Sequence, residues 1–374
     1  MIIAIDGYEA NVKNRVGIGR YAFEILTHLY EIIDGSRDSV LVYLPSPPLS
    51  DMPKETSWWS YRIARPSKLW TFIGLPFALS KDFPKADVIF SPTHYIPRFI
   101  SIQCVCSIMD LSYLFYPEMF RPKDLHQLTK WTAYSVRHAQ KILTISDSTK
   151  HAIIKAYHVP EDRIVVTYPG FTKPKFLTMS ESDIFKKYHV SSPFILSVGT
   201  LQPRKNYVRL IEAFAQMQKK DLDTTLVIVG KKGWLYEDIL AAPKRFGIED
   251  KVKFLDFVPD EDLPSLYKQA LCFVLPSLYE GFGLPVLEAM AYGTPVVVSN
   301  VSSLPEIAGK AGMYVDPQDV ESIAKGLETA VAEREKKSGK ERIAAGLIQV
   351  KKFMWEKAAK QTLEVLEEVG KGTV

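Results

Sequence analysis

Two glutamates, Glu280 and Glu288, stand in the segment Pro276-Ser-Leu-Tyr-Glu-Gly-Phe-Gly-Leu-Pro-Val-Leu-Glu-Ala-Met-Ala with seven residues between them. A buried apolar run ends at Pro276, a loop with Glu280, Gly281 and Gly283 follows, and Pro285 opens a helix, where proline has no intrahelical N–H bond to lose. Glycines in such a loop let the backbone approach a ligand closely. The helix start offers unbonded N–H groups and a positive dipole end, which suit a diphosphate. Carboxylates at the loop mouth and about a turn inside the helix can accept hydrogen bonds from hydroxyls of a sugar and a ribose.

A second set, Ser197-Val-Gly-Thr-Leu-Gln-Pro-Arg-Lys-Asn, leaves a strand and enters a helix with Arg204 and Lys205 side by side. Solvated charge is the ordinary use of such a pair. Its chemical use is to stabilise the negative charge that grows on a leaving diphosphate. A third, Arg15-Val-Gly-Ile-Gly-Arg-Tyr-Ala, formally fits a dinucleotide fingerprint. Its context does not, because ten residues separate Asp6 from Gly17 and the second strand ends Tyr43-Leu44-Pro45 without an acidic residue for a ribose.

The Glu280-to-Glu288 string resembles the signature of the retaining glycosyltransferases of family four, which have the GT-B fold, and the likeness covers nearly the whole chain. The resemblance implies transfer of a hexose from a nucleotide-diphosphate sugar to an acceptor hydroxyl. It assigns Glu280 to the reacting sugar and Glu288 to the ribose. It assigns Gly199, Gly281, Phe282, Gly283 and Leu284 to donor binding, and Arg204 and Lys205 to the donor phosphates. Gly17 and Gly19 resemble the family's glycine-rich loop, and Asp110 is carried over as catalytic. One departure stands at Ile108-Met-Asp-Leu-Ser, where many members have His-Asp-Leu. Met109 cannot donate a hydrogen bond, so sugar contact there is altered or passes to another residue such as His94.

No residue is a convincing covalent nucleophile, which fits the family's front-face mechanism, with the leaving phosphate helping to deprotonate the acceptor. The strings Asp6-Gly-Tyr-Glu-Ala-Asn and Gly230-Lys-Lys-Gly-Trp look most like bacterial mannosyltransferases of surface polysaccharide synthesis. The donor they imply is GDP-mannose, used without a cofactor, and the acceptor a saccharide or lipid-linked saccharide. Two other functions stay open: a catalytically weak sugar-nucleotide-binding partner, motivated by Met109, and a GT-B epimerase. Asp221-Leu-Asp223 and Asp260-Glu-Asp262 have the D-x-D pattern of metal-dependent transferases of another fold, but turn and capping roles suffice for them. No metal is expected.

The elements that must hold these residues alternate along the chain. Ile2 to Ile5, Val40 to Leu44, Val88 to Phe90, Gln103 to Ile108 and Ile142 to Ile145 read as buried strands, with helical spacing near 18–33, 121–139 and 147–157. Two prolines and a glycine in Tyr168-Pro-Gly-Phe-Thr-Lys-Pro-Lys mark a linker. A second series follows at Phe194 to Val198, Thr225 to Gly230, Val252 to Leu255, Cys272 to Pro276, Pro295 to Ser299 and Gly312 to Val315. The α/β fold expected is two doubly wound Rossmann-like domains facing a central cleft, spanning 1–170 (acceptor side) and 193–352 (donor side) around a linker at 171–192. From Trp355 a 3.6-residue apolar stripe marks an amphipathic helix. The resemblance implies that this tail, 353–374, crosses back onto the N-terminal domain.

The 374 residues are enough for two domains at about 150 each. With 47% hydrophobic and 24% charged residues, the chain can bury a core and is not disordered. The net charge of +4 (47 basic, 43 acidic) is too balanced for a dedicated nucleic-acid binder. Residues 1–190 carry 23 basic and 18 acidic side chains, an excess that suits an anionic ligand or peripheral contact with the cytoplasmic face of a membrane. Cys104, Cys106 and Cys272 cannot form a disulfide framework, and no signal-peptide or membrane-spanning pattern is visible. A cytoplasmic setting is expected.

Overall fold

The computed structural model describes residues 1–172, 181–219 and 223–372. Contacts divide the chain into two compact units, one of residues 1–114, 122–170 and 354–374, the other of 115–121 and 171–353.

The first unit contains β1 (Ile2–Asp6), β2 (Ser39–Leu44), β3 (Trp59–Ile63), β4 (Val88–Ser91), β5 (Gln103–Ile108), β6 (Lys141–Thr144) and β7 (Ile164–Val166). They form one parallel sheet in the order β3-β2-β1-β4-β5-β6-β7. Helices cover both faces of such a sheet, so its central strands are near-continuous apolar runs; Ile3, Ile5, Val40, Val42, Ile89 and Phe90 are all buried. The chain builds outward from β1 in one direction, then restarts at β4 in the other. The β1/β4 boundary is therefore the sheet's topological switch point.

Helix Ile18–Ile32 buries Tyr21, Ala22, Ile25, Leu26 and Leu29, one face of a 3.6-residue period. Against it lies the tail helix Trp355–Gly370, which buries Trp355, Ala358, Ala359, Thr362, Leu366 and Val369. Its Trp355 ring meets the ring of Tyr21 at 6.1 Å, and Glu368 pairs with Lys141 at 2.9 Å. The tail thus belongs to the first unit's core.

The second unit contains β8 (Phe194–Val198), β9 (Thr225–Val229), β10 (Val252–Leu255), β11 (Phe273–Leu275), β12 (Val296–Ser299) and β13 (Gly312–Val315). Its parallel sheet runs β10-β9-β8-β11-β12-β13, which puts the switch point between β8 and β11. Ile195, Leu226, Ile228 and Val274 form a buried core with Leu210, Phe214 and Met217 of helix Tyr207–Gln218 and Ile323 and Leu327 of helix Val320–Glu333.

Two features depart from the sequence-derived boundaries. The interval 171–192 contains a helix, Glu181–Tyr188, packed in the second unit with Phe185 edge-on to Phe194. Residues 115–121 also join that unit, because Phe115 stacks on Tyr279 and Trp234 Nε1 donates to the Met119 carbonyl at 2.7 Å. Cys104, Cys106 and Cys272 are buried free thiols. Among the described residues no helix is long and apolar enough to cross a membrane.

Candidate active site

The site begins at the β8/β11 switch point. The two strands are neighbours, and Ser197 Oγ donates to the Val274 carbonyl at 2.7 Å, so the loops leaving their carboxyl ends emerge together. The β8 loop ends in a tight turn, Pro203–Lys205, followed by Asn206 in the left-handed region at φ 63. Asn206 Nδ2 donates to the carbonyls of Pro276 (2.9 Å) and Pro317 (2.7 Å), and Leu278 N bonds the Arg204 carbonyl at 2.9 Å. These bonds fasten the turn to the β11 loop.

That geometry brings three predicted residues into contact. Lys205 Nζ donates to Glu280 Oε1 at 2.6 Å, and Arg204 Nη1 lies 3.1 Å from Glu280 Oε2 while also donating to the Tyr279 carbonyl. Ser277 Oγ donates to Glu280 Oε1 at 2.6 Å. The Glu280 side chain is 7% exposed and that of Lys205 10%. Burial alone would raise the Glu280 carboxyl, but the adjacent Lys205 and Arg204 charges outweigh it and hold the group at about 2. Glu280 is therefore a carboxylate at any physiological pH.

The backbone around Glu280 is fixed as firmly as its side chain. Glu280 N donates to Ser302 Oγ at 2.9 Å, and Ser303 Oγ serves the carbonyls of Glu280 (3.0 Å) and Phe282 (2.9 Å). Gly283 turns the chain at φ 107, a conformation L side chains rarely adopt, and helix Leu284–Ala291 starts directly after it with Pro285 in its first turn. Phe282 is buried with its ring edge-on to Phe353 at 5.5 Å, and Gly281 is buried. Glu288 lies within the helix, half-buried, and accepts the Tyr267 hydroxyl at 2.7 Å. At Gly199 an added Cβ would stand 3.3 Å from Lys205 Cε and 3.0 Å from the Tyr207 hydroxyl, so glycine leaves the lysine its place.

Residues 180–346 match the family described as glycosyl transferases group 1. Over 286 residues the chain is 36% identical to O-antigen chain mannosyltransferase B of Escherichia coli, covering 75% of this chain and 74% of that one. The chain is a group 1 glycosyltransferase.

It is also 29% identical over 232 residues to O-antigen chain mannosyltransferase RfbU of Salmonella typhimurium, spanning 62% of this chain and 61% of that relative's length. Its fold is that of GT-B glycosyltransferases. Sucrose-phosphate synthase from Thermosynechococcus elongatus superposes with a TM-score of 0.74 at 18% identity, covering 98% of each chain.

The remaining predicted residues of this glycosyltransferase lie in the first unit. Gly17 occupies the cap position of helix Ile18–Ile32 at φ 52, and Gly19 is tight against the loop before it, where a Cβ would meet the Glu9 carbonyl at 3.1 Å. Asp110 Oδ1 accepts both Ser112 N (2.8 Å) and Ser112 Oγ (2.6 Å), a turn-stabilising pattern. His94, raised as a stand-in for the missing histidine at Met109, is instead bonded to it: Met109 N donates to His94 Nε2 at 2.9 Å. With Nε2 accepting, a neutral ring carries its proton on Nδ1, an atom that is buried and unpartnered. Burial holds this imidazole below its ordinary range.

At the end of β1, Asp6 accepts Trp70 Nε1 at 2.9 Å and Tyr8 N at 3.1 Å. Burial nevertheless lifts its carboxyl to about 7. The sequence offered no sign of this, since only the fold seals that strand end.

Several supporting groups of the glycosyltransferase were also missed. Ser277, Ser302, Ser303 and Asn206 hold Glu280 and its cations in place; Ser277 and Asn206 stand inside the two strings without a signal of their own, and Ser302 and Ser303 lie 22 and 23 residues beyond Glu280. The D-x-D strings behave differently from expectation in one respect. Asp262 stands at the cap position of helix Leu263–Gln269 but makes no capping bond; it is buried and accepts Lys187 Nζ (2.7 Å) and the Tyr188 hydroxyl (2.6 Å). An ion pair with the helix Glu181–Tyr188 replaces the cap. Asp223 pairs with Lys251 at 3.0 Å on the surface, while Asp221 lies outside the described residues.

Proposed function

We propose that this glycosyltransferase transfers a mannosyl residue, with retention of configuration, from GDP-mannose to a hydroxyl of a saccharide or lipid-linked saccharide in the cytoplasm. The observation that carries the reading is the buried Lys205–Glu280–Arg204 set at the switch point of the second sheet. Cations fixed in a water-poor site need no reorganisation to receive negative charge, which is where a diphosphate leaving group needs them. The names of the two mannosyltransferase relatives support the choice of sugar.

In the reaction proposed, the acceptor oxygen forms a bond to the sugar's anomeric carbon as the bond from that carbon to the diphosphate breaks. The electron pair of that bond leaves with the diphosphate, and the acceptor proton passes to a phosphate oxygen. Arg204 and Lys205 stabilise the departing charge, the amino end of helix Leu284–Ala291 adds its dipole, and Glu288 accepts ribose hydroxyls. Glu280 keeps the two cations in position and presents its remaining acceptor capacity to the sugar. No metal enters these steps.

A thermal-shift panel of sugar nucleotides tests this. A ligand at about 100 times its dissociation constant stabilises by roughly 2.7 kcal/mol. GDP-mannose is expected to give the largest shift and to release GDP when an acceptor mannoside is present. A larger shift with a uridine diphosphate sugar would reassign the donor, and binding without any turnover would make the chain a sugar-nucleotide-binding protein.

A further inference from the structure

The first unit holds an unclaimed carboxylate at its own switch point. Tyr8 and Glu9 follow directly on β1, and Tyr95 lies in the loop leaving β4. These strands are neighbours, and ligands of open α/β sheets enter beside such carboxyl ends. Glu9 is half-buried, and among the described residues its side chain has no hydrogen bond and no ion pair. Burial holds its carboxyl above the ordinary glutamate range. An unpaired carboxylate drawn partly out of water weakens a fold, and a ligand that supplies the missing donors accounts for its place.

Half-buried rings stand in the same corner. The Tyr8 ring centre lies 5.6 Å from that of Trp70, and the Tyr95 ring centre 5.3 Å from that of Trp131. Trp70 is held by its Nε1 bond to Asp6, and the Gln127 side chain hydrogen-bonds the Tyr95 hydroxyl. The local field is negative: Glu9 acts on both Asp6 and Tyr95, and Asp124 adds to it at Tyr95. Arg98 is engaged by the rings of Phe72 and Tyr134, and Arg15 by Asp51.

We propose that Glu9 selects the acceptor by charge: it receives hydroxyls of a neutral saccharide whose ring packs on Tyr8 and Tyr95, and it rejects a saccharide bearing a phosphate or carboxylate there. This selection rests on the proposed transfer reaction and sets the charge class of its acceptor. A hexose suits the corner on two counts. Its ring C–H groups form an apolar face that aromatic rings cover, and its rim hydroxyls donate charge-assisted hydrogen bonds to a carboxylate. An anionic substituent would meet Glu9 and Asp124 where little water screens the repulsion.

Saturation-transfer NMR without nucleotide tests the selection, because saccharide binding needs no turnover. Methyl α-mannoside should bind the wild type, and its 6-phosphate roughly tenfold or more weakly. Glu9→Ala should weaken methyl α-mannoside by about 10- to 100-fold, the size of a lost hydrogen bond to a charged group. Glu9→Gln keeps an acceptor oxygen without the charge, and should narrow the gap between the two saccharides to within about threefold. Neither variant should lower the melting temperature, because the fold loses no partner of Glu9. Wild-type affinity for methyl α-mannoside in both variants would overturn the proposal, as would a gap that Glu9→Gln leaves unchanged, or a wild type that binds neither saccharide. Selective saccharide binding by a wild type that does not bind GDP-mannose would support the role of Glu9 while removing the proposed donor.

Discussion

Lys205 Nζ stands 2.6 Å from Glu280 Oε1, with both side chains about nine-tenths buried. A carboxylate so engaged acts first on its cations. Removing one charge from a buried pair costs on the order of 3–5 kcal/mol. Glu280→Gln should therefore lower the melting temperature and reduce turnover by about 10²-fold. GDP affinity should hold or rise, because the diphosphate replaces the missing negative charge. Calorimetric titration with GDP decides this, and weakened GDP binding with normal turnover would contradict the assigned role.

The same carboxyl predicts an acid-side loss of stability. Its folded pKa of about 2 lies below the 4.5 of a free glutamate, so its contribution is fully present above pH 4.5 and is lost as pH falls toward 2. The difference corresponds to something on the order of 3 kcal/mol. Urea unfolding at neutral and acid pH should show a smaller decline for Glu280→Gln than for the wild type. Parallel declines would mean that the pair does not contribute as described.

Asp6 predicts the opposite slope. Its folded pKa of about 7 lies above the 3.8 of a free aspartate, so stability falls as pH rises from 3.8 through 7. Asp6→Asn keeps an oxygen for Trp70 Nε1 and Tyr8 N but cannot ionise. It should be more stable than the wild type at pH 8, by an amount on the order of 4 kcal/mol, and nearly equal to it at pH 4. A difference independent of pH would show that Asp6 does not titrate in this range.

Much of this was legible because buried parallel strands read as apolar runs: β1, β2, β4, β5, β6 and all six strands of the second sheet stand within a residue or two of where the sequence puts them. Two strands were not legible. β3 mixes Ser60 and Arg62 with its apolar residues and becomes progressively exposed, as befits an edge, and the three residues of β7 stand between Arg163 and Thr167, whereas the equally short β11 lies in a longer apolar run from Leu271 to Leu275. Arg204, Lys205 and Glu280 could be named from motif and spacing. Their mutual contact could not, since it depends on β8 lying next to β11 across 77 residues of chain, as the Ser197–Val274 bond shows. Asp262 was misread for the same reason: its partners, Lys187 and Tyr188, are more than 70 residues away.

Gly199 gives a steric prediction. A methyl group there would lie 3.3 Å from Lys205 Cε, so Gly199→Ala must push the lysine or Tyr207 aside. Overpacking of this kind costs about 1–3 kcal/mol, and displacing a catalytic group by roughly 1 Å can lower turnover about 10²-fold. Steady-state kinetics and a melting curve separate the two responses. Unchanged turnover with reduced stability would mean that Tyr207 alone gives way.

Metal independence is checked by chelation. Under the proposed mechanism, in which Arg204 and Lys205 meet the diphosphate charge, transfer should persist in excess EDTA. Asp223 forms an exposed pair with Lys251, so Asp223→Ala should stay within about two- to threefold of wild-type turnover. Activity lost in EDTA and restored by manganese or magnesium would overturn the metal-free site.

The central claim is that Arg204, Lys205 and Glu280 form the site at which a nucleotide-linked mannose is transferred with retention. It is tested most directly by proton NMR of the product made from GDP-α-mannose and an acceptor mannoside in EDTA, by wild type and Lys205→Ala. An α-linked mannosyl product is expected from the wild type and a rate lower by about 10²-fold from the mutant. A β-linked product, or transfer by Lys205→Ala at the wild-type rate, would contradict it.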